Sequence, residues 1–235
     1  MAIRAFALAI ALGAIAPFSP QPPGAELPPG WRLLTLPRVT PSEIVLADDV
    51  GTTVLRVRSR ASSASAAFAL PALPVAGTLH WRWKIDRVVE KADLDEKRGD
   101  DFAARVYVFL DVPDEAFPWG ERLRLKLARL IYGADLPSAA ICYVWDNRHP
   151  VGTSIWNPYS RRVRTVVVES GGAAAGRWSA ERRDVAADFR AAFGDAWLDR
   201  ARLTGIAAGN DTDQTGESVT AWFGDFRLDV TPSPR

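Results

Sequence analysis

The sequence predicts an all-β protein: an antiparallel two-sheet jelly-roll β-sandwich with two short helical insertions. Short runs of alternating apolar and polar residues recur from Trp31 to Val230, broken by Pro, Gly, Asp and Ser clusters. Only two stretches carry a helical period, which argues against alternating βαβ units. With 235 residues, 48% hydrophobic and 24% charged, the chain suffices for one large sandwich core without a second domain.

In chain order, a short positive end (Met1, Arg4) precedes the apolar run AFALAIALGAIA, which is too short to span a bilayer. Residues 1–16 read as a secretory signal peptide, with Ala14-Ile15-Ala16 as the small-x-small cleavage pattern. Cleavage as late as about residue 25 is the alternative. A periplasmic or secreted protein follows as the expectation, with no stable membrane span after processing. Residues 17–30 are proline-rich and read as an extended tether, leaving 31–232 as the sandwich. The formal net charge of +1 gives no reason to expect a nucleic-acid partner. Cys142 is the only cysteine, so an internal disulfide is excluded. Its apolar surroundings, AAICYVW, predict a buried, unreactive thiol.

From Trp31, the runs WRLLTL, EIVLAD, TTVLRVRS and AFALPAL read as strands. TLHWRWKI and DFAARVYVFLD follow, with an acidic loop between them. Residues 119–132 predict an amphipathic helix whose inward stripe is Leu123, Leu127, Leu130 and Ile131, ended by Gly133. It carries enough basic residues for a membrane surface, but packing at a sheet edge is the favoured reading. After the strands AAICYVW, RTVVVES and RWSAERRDV, residues 185–193 predict a second helix, capped by Asp184 and stopped by Gly194. RLTGIAAGN and SVTAWFGDFRLDV complete about ten strands, a number suited to a jelly roll.

Strand side chains alternate between faces. One parity contains Trp81, Trp83, Ile85, Phe102, Ala104, Val106, Val108 and Leu110 and reads as core. The opposite sets contain Arg82, Lys84, Arg105, Tyr107, Tyr143, Trp145 and Glu169, with Asp101, or its neighbour Asp100, at the rim. Together they predict a groove on one sheet face. Rings would stack on sugar faces while Arg and Glu bond hydroxyls or carboxylates, so the expected partner is a polysaccharide or another polyhydroxylated or anionic small ligand. A solvated face with cross-strand Arg–Glu pairs is the competing account.

Catalytic templates are missing: there is no H-E-x-x-H, nucleophile elbow or P-loop, and His80 and His149 are the only histidines. A carboxylate pair for glycoside hydrolysis would have to come from Glu169 with Asp101 or Asp184. A lyase would need Tyr107 or Tyr143 with Arg105 or Lys84. In the segment NDTDQTGE (210–217), Asp211 and Asp213 match the start of an EF-hand loop, but Trp222 stands where the bidentate Glu should be. An ordinary turn is favoured there over a calcium site, and no other cofactor is expected.

The succession WRWKID, DDFAARVYV, YVWDN, VVVESG, ERRDVAADFRAAFG, GIAAGNDTDQTGE and AWFGDF resembles the bacterial family known as domain of unknown function 3047. The resemblance covers nearly all of the chain from Trp31 onward, including the helical insert ending in IYG. It implies an exported protein and brings no established activity. Family members read more like TDTDNTG where this chain has Asn210 and Gln214, a departure that weakens a metal site in that loop. The stretch GIAAG…GESVTAWFGDF also looks like the closing hairpin of jelly-roll carbohydrate-binding modules, a likeness of fold rather than function. The expectation is therefore a non-catalytic exported module binding a glycan or cell-envelope saccharide. The alternatives are a polysaccharide hydrolase or lyase using the same groove, or a structural envelope protein without a ligand.

Overall fold

A computed structural model describes residues 14–132 and 136–230. Its strands are β1 (Trp31–Thr35), β2 (Glu43–Asp49), β3 (Thr52–Arg60), β4 (Ser63–Pro74), β5 (Thr78–Ile85), β6 (Phe102–Asp111), β7 (Ala139–Asp146), β8 (Ser154–Asn157), β9 (Ser160–Ser170), β10 (Ser179–Asp184), β11 (Arg202–Asp211), β12 (Ser218–Phe223) and β13 (Arg227–Asp229). Helix α1 spans Trp119–Tyr132 and α2 spans Val185–Phe193. A seven-stranded sheet, β1-β4-β11-β6-β7-β9-β8, packs on a six-stranded one, β10-β5-β12-β3-β2, with β13 also paired to β5. The jelly-roll sandwich stands as expected, with one exception to antiparallel pairing: β7 and β9 run parallel. Parallel neighbours need a long crossover, here residues 147–159, which contain β8, a short strand absent from the sequence reading.

The inter-sheet core is aromatic. Trp81, Trp83, Tyr143, Trp145 and Phe223 are all buried. Trp81 lies 5.3 Å from Tyr143 in a stacked arrangement, and Trp83 lies 5.9 Å from Trp145. These ring pairs bind one sheet to the other and account for several of the tryptophans.

Both helices fall where the 3.6-residue period placed them. Asp184 caps α2 by accepting the Ala187 N–H at 3.0 Å. Gly194, at φ +85°, ends the helix with its N–H on Arg190 O. The expected inward stripe of α1 is corrected: Leu123 and Leu127 are 43% and 52% exposed, while Leu125 and Glu121 are buried. The helix is held by polar anchors as well as by Leu125. Glu121 faces Arg162 of β9 at 3.5 Å, and Arg122 Nε donates to Phe117 O. The expected Gly133 stop and the side chains of Leu130 and Ile131 lie outside the described residues.

Residues 17–30 are not a detached tether. Phe18 is 0% exposed, 4.7 Å from Trp31 and 6.4 Å from Phe226 between ring centroids. Its N–H donates to Asp225 Oδ1 at 2.7 Å, Trp31 Nε1 donates to Ala16 O, and Gly24 N–H donates to Leu46 O. Proline fixes extended backbone but leaves side chains free to dock, and the one large ring in the segment does so. Most of the expected signal peptide lies outside the described residues. Among those described, no helix is long and apolar enough to cross a membrane.

Candidate functional site

The residues expected to share one groove lie on three separate surfaces. Arg82 and Lys84 stand on the outer face of the six-stranded sheet. Lys84 pairs with Asp49 and sits 5.2 Å from the ring of Trp178 and 4.7 Å from that of Trp222. Arg82 stacks on Trp178 at 4.5 Å, and Trp178 Nε1 donates to Asp49 Oδ2. Both cations are held by their neighbours.

Tyr143 and Trp145 point the other way, into the inter-sheet core. Tyr143 OH donates to Asp188 Oδ2 at 2.7 Å, and Trp145 Nε1 donates to Gly171 O at 3.0 Å. The expected parity failed because every residue of β7 is buried, and a strand covered on both faces shows no contrast between them. Glu169 is displaced by a register shift in the β7–β9 pairing between Val144 and Trp145, which sets it beside Trp145 instead of behind Val167. There it raises the pKa of Glu181, which burial, first, and then Glu169 push up to about 7.

The remaining residues converge. Asp101, Arg105, Tyr107, Asp211 and Asp213 come together on or at the end of the outer face of the seven-stranded sheet, from β6, the end of β11 and the loops beyond. Arg105 is 7% exposed; its NH1 lies 2.6 Å from Asp211 Oδ2 and its NH2 donates to Ser63 Oγ at 3.0 Å. Asp101 accepts the Thr215 and Gln214 N–H groups at 2.6 and 3.4 Å, tying the β5–β6 loop to the turn after β11. Tyr107 is only partly covered; its ring stacks on Phe109 and lies 5.3 Å from the Arg105 guanidinium. Gly209, opposite Arg105, leaves no room for a side chain: a Cβ there would sit 2.2 Å from Ser65 Oγ. A register shift between Gly209 and Asp211 aligns Asp211 with Phe102. Phe102 accordingly packs with Cys142, Val144 and Val167 on this face and not in the core assigned to it.

The electrostatics follow from burial. Desolvation, opposed by Arg105 and reinforced by Asp213 and Asp101, leaves the Asp211 carboxyl above the usual carboxylate range. Burial, the largest influence on Arg105, works against its charge, but Asp211 together with Tyr107, Cys142 and Asp100 more than offsets it and keeps the guanidinium charged. Asp100, partly exposed, is pushed up to about 6 by burial, against two hydrogen bonds from Asn157 Nδ2 and the nearby Arg105. Burial pushes the Cys142 thiol up to about 12, so it stays protonated and inert, as its sequence context predicts.

Asp101, Asp211 and Asp213 each present an oxygen within 4.8 Å of the others, a spacing that would suit a cation. The fit is partial: Asp213 Oδ1 is shielded without a partner, but Arg105 already supplies the positive charge on Asp211. Asn157, and Tyr159 whose hydroxyl donates to Lys97 O, complete the surroundings. Sequence reasoning missed both because the short β8–β9 hairpin carrying them has little alternation. Asp100 was legible as the neighbour of Asp101 in the DDF step.

Fold and site together define a two-sheet β-sandwich with a charged and aromatic cluster buried on one outer face. The family model described as "Protein of unknown function (DUF3047)" matches residues 29–227, and the chain belongs to that family. No curated protein matches it. Among solved structures, it is similar to the native family 12 xyloglucanase from Bacillus licheniformis, at 6% identity and TM-score 0.47, over 86% of this chain and 94% of that one. It is similar to the endoglucanase cel12A from Rhodothermus marinus at 8% identity and TM-score 0.45, covering 86% and 92%. It is also similar to TmCBM61 in complex with β-1,4-galactotriose at 10% identity and TM-score 0.37, covering 86% and 90%. At such values no residue's role passes from them to this chain.

Proposed function

We propose that this chain is a non-catalytic, exported binding protein for a glycan or cell-envelope saccharide. The ligand lies on the outer face of the seven-stranded sheet, beside Tyr107 and Asp100. The Arg105–Asp211 pair carries the reading: a guanidinium and the carboxyl it holds at 2.6 Å, desolvated together on an outer face and not in the inter-sheet core. Burying ions costs several kcal/mol each, roughly, and such pairs are commonly no more stabilising than apolar residues of the same volume. Stability alone therefore gives little reason to keep them. Beneath Tyr107 and Asp100 they make a fixed polar floor on which sugar hydroxyls can be ordered.

The test is a soluble-glycan binding panel run on the parent and on a Tyr107→Ala, Asp100→Asn double variant. We expect at least one bound glycan to be lost from the variant while its thermal unfolding stays cooperative. A parent that binds none, or a variant that binds all of them equally, would refute the reading. Asp100 favours one alternative, a hydrolase or lyase on the same face, because a partly exposed carboxyl at about 6 can exchange protons near neutral pH. Reducing-end and unsaturated-product assays on each bound glycan separate the two, since turnover would replace the binding role.

A further inference from the structure

The opposite outer face, that of the six-stranded sheet, holds a cavity of about 210 Å³ lined by Arg56, Arg58, Asp86, Arg87, Thr220 and Trp222, among others. Three guanidiniums thus face one carboxylate. Their partners leave much of that charge uncompensated at the cavity. Arg87 Nε donates to the neutral Ser218 carbonyl at 2.9 Å, and Asp86 Oδ1 is occupied by the Thr220 N–H at 2.8 Å. Arg56 pairs with Glu43 on the β2 side at 3.2 Å, while its Nε is shielded from solvent without an acceptor. Arg58 is exposed and has no hydrogen-bond or ion-pair partner among the described residues. Register makes the arrangement: Arg56 pairs with Trp222 and Arg58 with Thr220 across β3 and β12, so the arginines and the indole project from the same side of adjacent strands. Lys84 stands 4.7 Å from the Trp222 ring, and the indole is only partly covered.

We propose that this cavity is a binding site for an acidic saccharide. A uronate carboxylate would be taken by Arg58 and Arg87, with the sugar ring resting against Trp222. Guanidinium forks match carboxylates in shape as well as charge, and an indole face stacks on an apolar sugar face. The cavity is smaller than typical small-molecule pockets, so it holds one residue of a chain and leaves the rest to run over the sheet. The site is independent of the Arg105 cluster, which lies on the other side of the sandwich.

The test is calorimetric titration of the full chain with trigalacturonate, cellotriose and sodium acetate, repeated on Arg58→Ala and Arg87→Ala. Arg58 is exposed and has no partner among the described residues, so its removal leaves the fold intact. Trigalacturonate is expected to bind more tightly than either of the other probes. Each variant should weaken it about tenfold, the scale of one lost charge-assisted hydrogen bond, and added salt should weaken it in the parent. Absence of trigalacturonate binding, unchanged affinity in Arg58→Ala, or acetate or cellotriose binding as tightly would each overturn the proposal.

Discussion

Phe18→Ala decides whether the segment before Trp31 belongs to the folded unit. The side chain is wholly removed from solvent and packs on Trp31 and Phe226. Lost transfer free energy and the cavity left behind together cost about 3–5 kcal/mol for such a ring. In a domain of this size each kcal/mol lowers Tm by about 2–4 °C, so a fall of about 10 °C is expected in a thermal melt followed by calorimetry. Phe18→Leu, which refills most of the volume, should cost less than about 1.5 kcal/mol. Trimming the chain to begin near residue 25 should cost at least as much as the alanine, because the backbone bond to Asp225 goes with the ring. A melting temperature unchanged by Phe18→Ala would refute the packing and restore a solvated tether, whose substitutions stay within about 0.5 kcal/mol. For processing, cleavage after Ala16 keeps Phe18 in place, whereas cleavage near residue 25 removes it.

Two further outcomes are expected. Glu181 is raised to about 7 in the fold from an ordinary value of 4.5. The folded state therefore binds the extra proton between those values and loses stability as pH rises through them. The whole shift corresponds to about 3 kcal/mol, reduced to about 1–2 kcal/mol by partial solvent screening. Glu181→Gln, which retains an oxygen for the Trp83 Nε1 donor, should match the parent in urea melts at pH 4 and exceed it at pH 8; equal stability at both would contradict the assignment. Because Arg105 already occupies the Asp211 carboxyl, a chelator is expected to leave the melting temperature unmoved. A rise on adding calcium would place a cation beside Asp213 and reinstate the EF-hand-like reading of that loop.

How much was legible differs from strand to strand. In β5 the alternation of Trp81, Trp83 and Ile85 against Arg82 and Lys84 gave the correct faces, because one side of that strand is buried and the other meets solvent. In β7 both sides are covered, so Tyr143 and Trp145 were assigned to the wrong one. An extra residue in β9 moved Glu169, and another in β6 aligned Asp211 with Phe102, in ways that strict alternation cannot register. The helices were legible because period and caps are local; the direction faced by α1 was not, because it depends on Arg162 of a distant strand.

The amino-acid sequence by itself determined the sandwich, its strands apart from the short β8, the two helices with the cap and stop of α2, and the inert state of Cys142, all consequences of local period, turn chemistry and composition. Only the tertiary structure decided which strands became neighbours. That choice put Arg105 beside Asp211 on one outer face and Arg58 near Trp222 on the other. The physical reason is that strand alternation constrains a side chain relative to its own strand, while a binding surface is a relation between strands, set by pairing, register and the stacking of the two sheets.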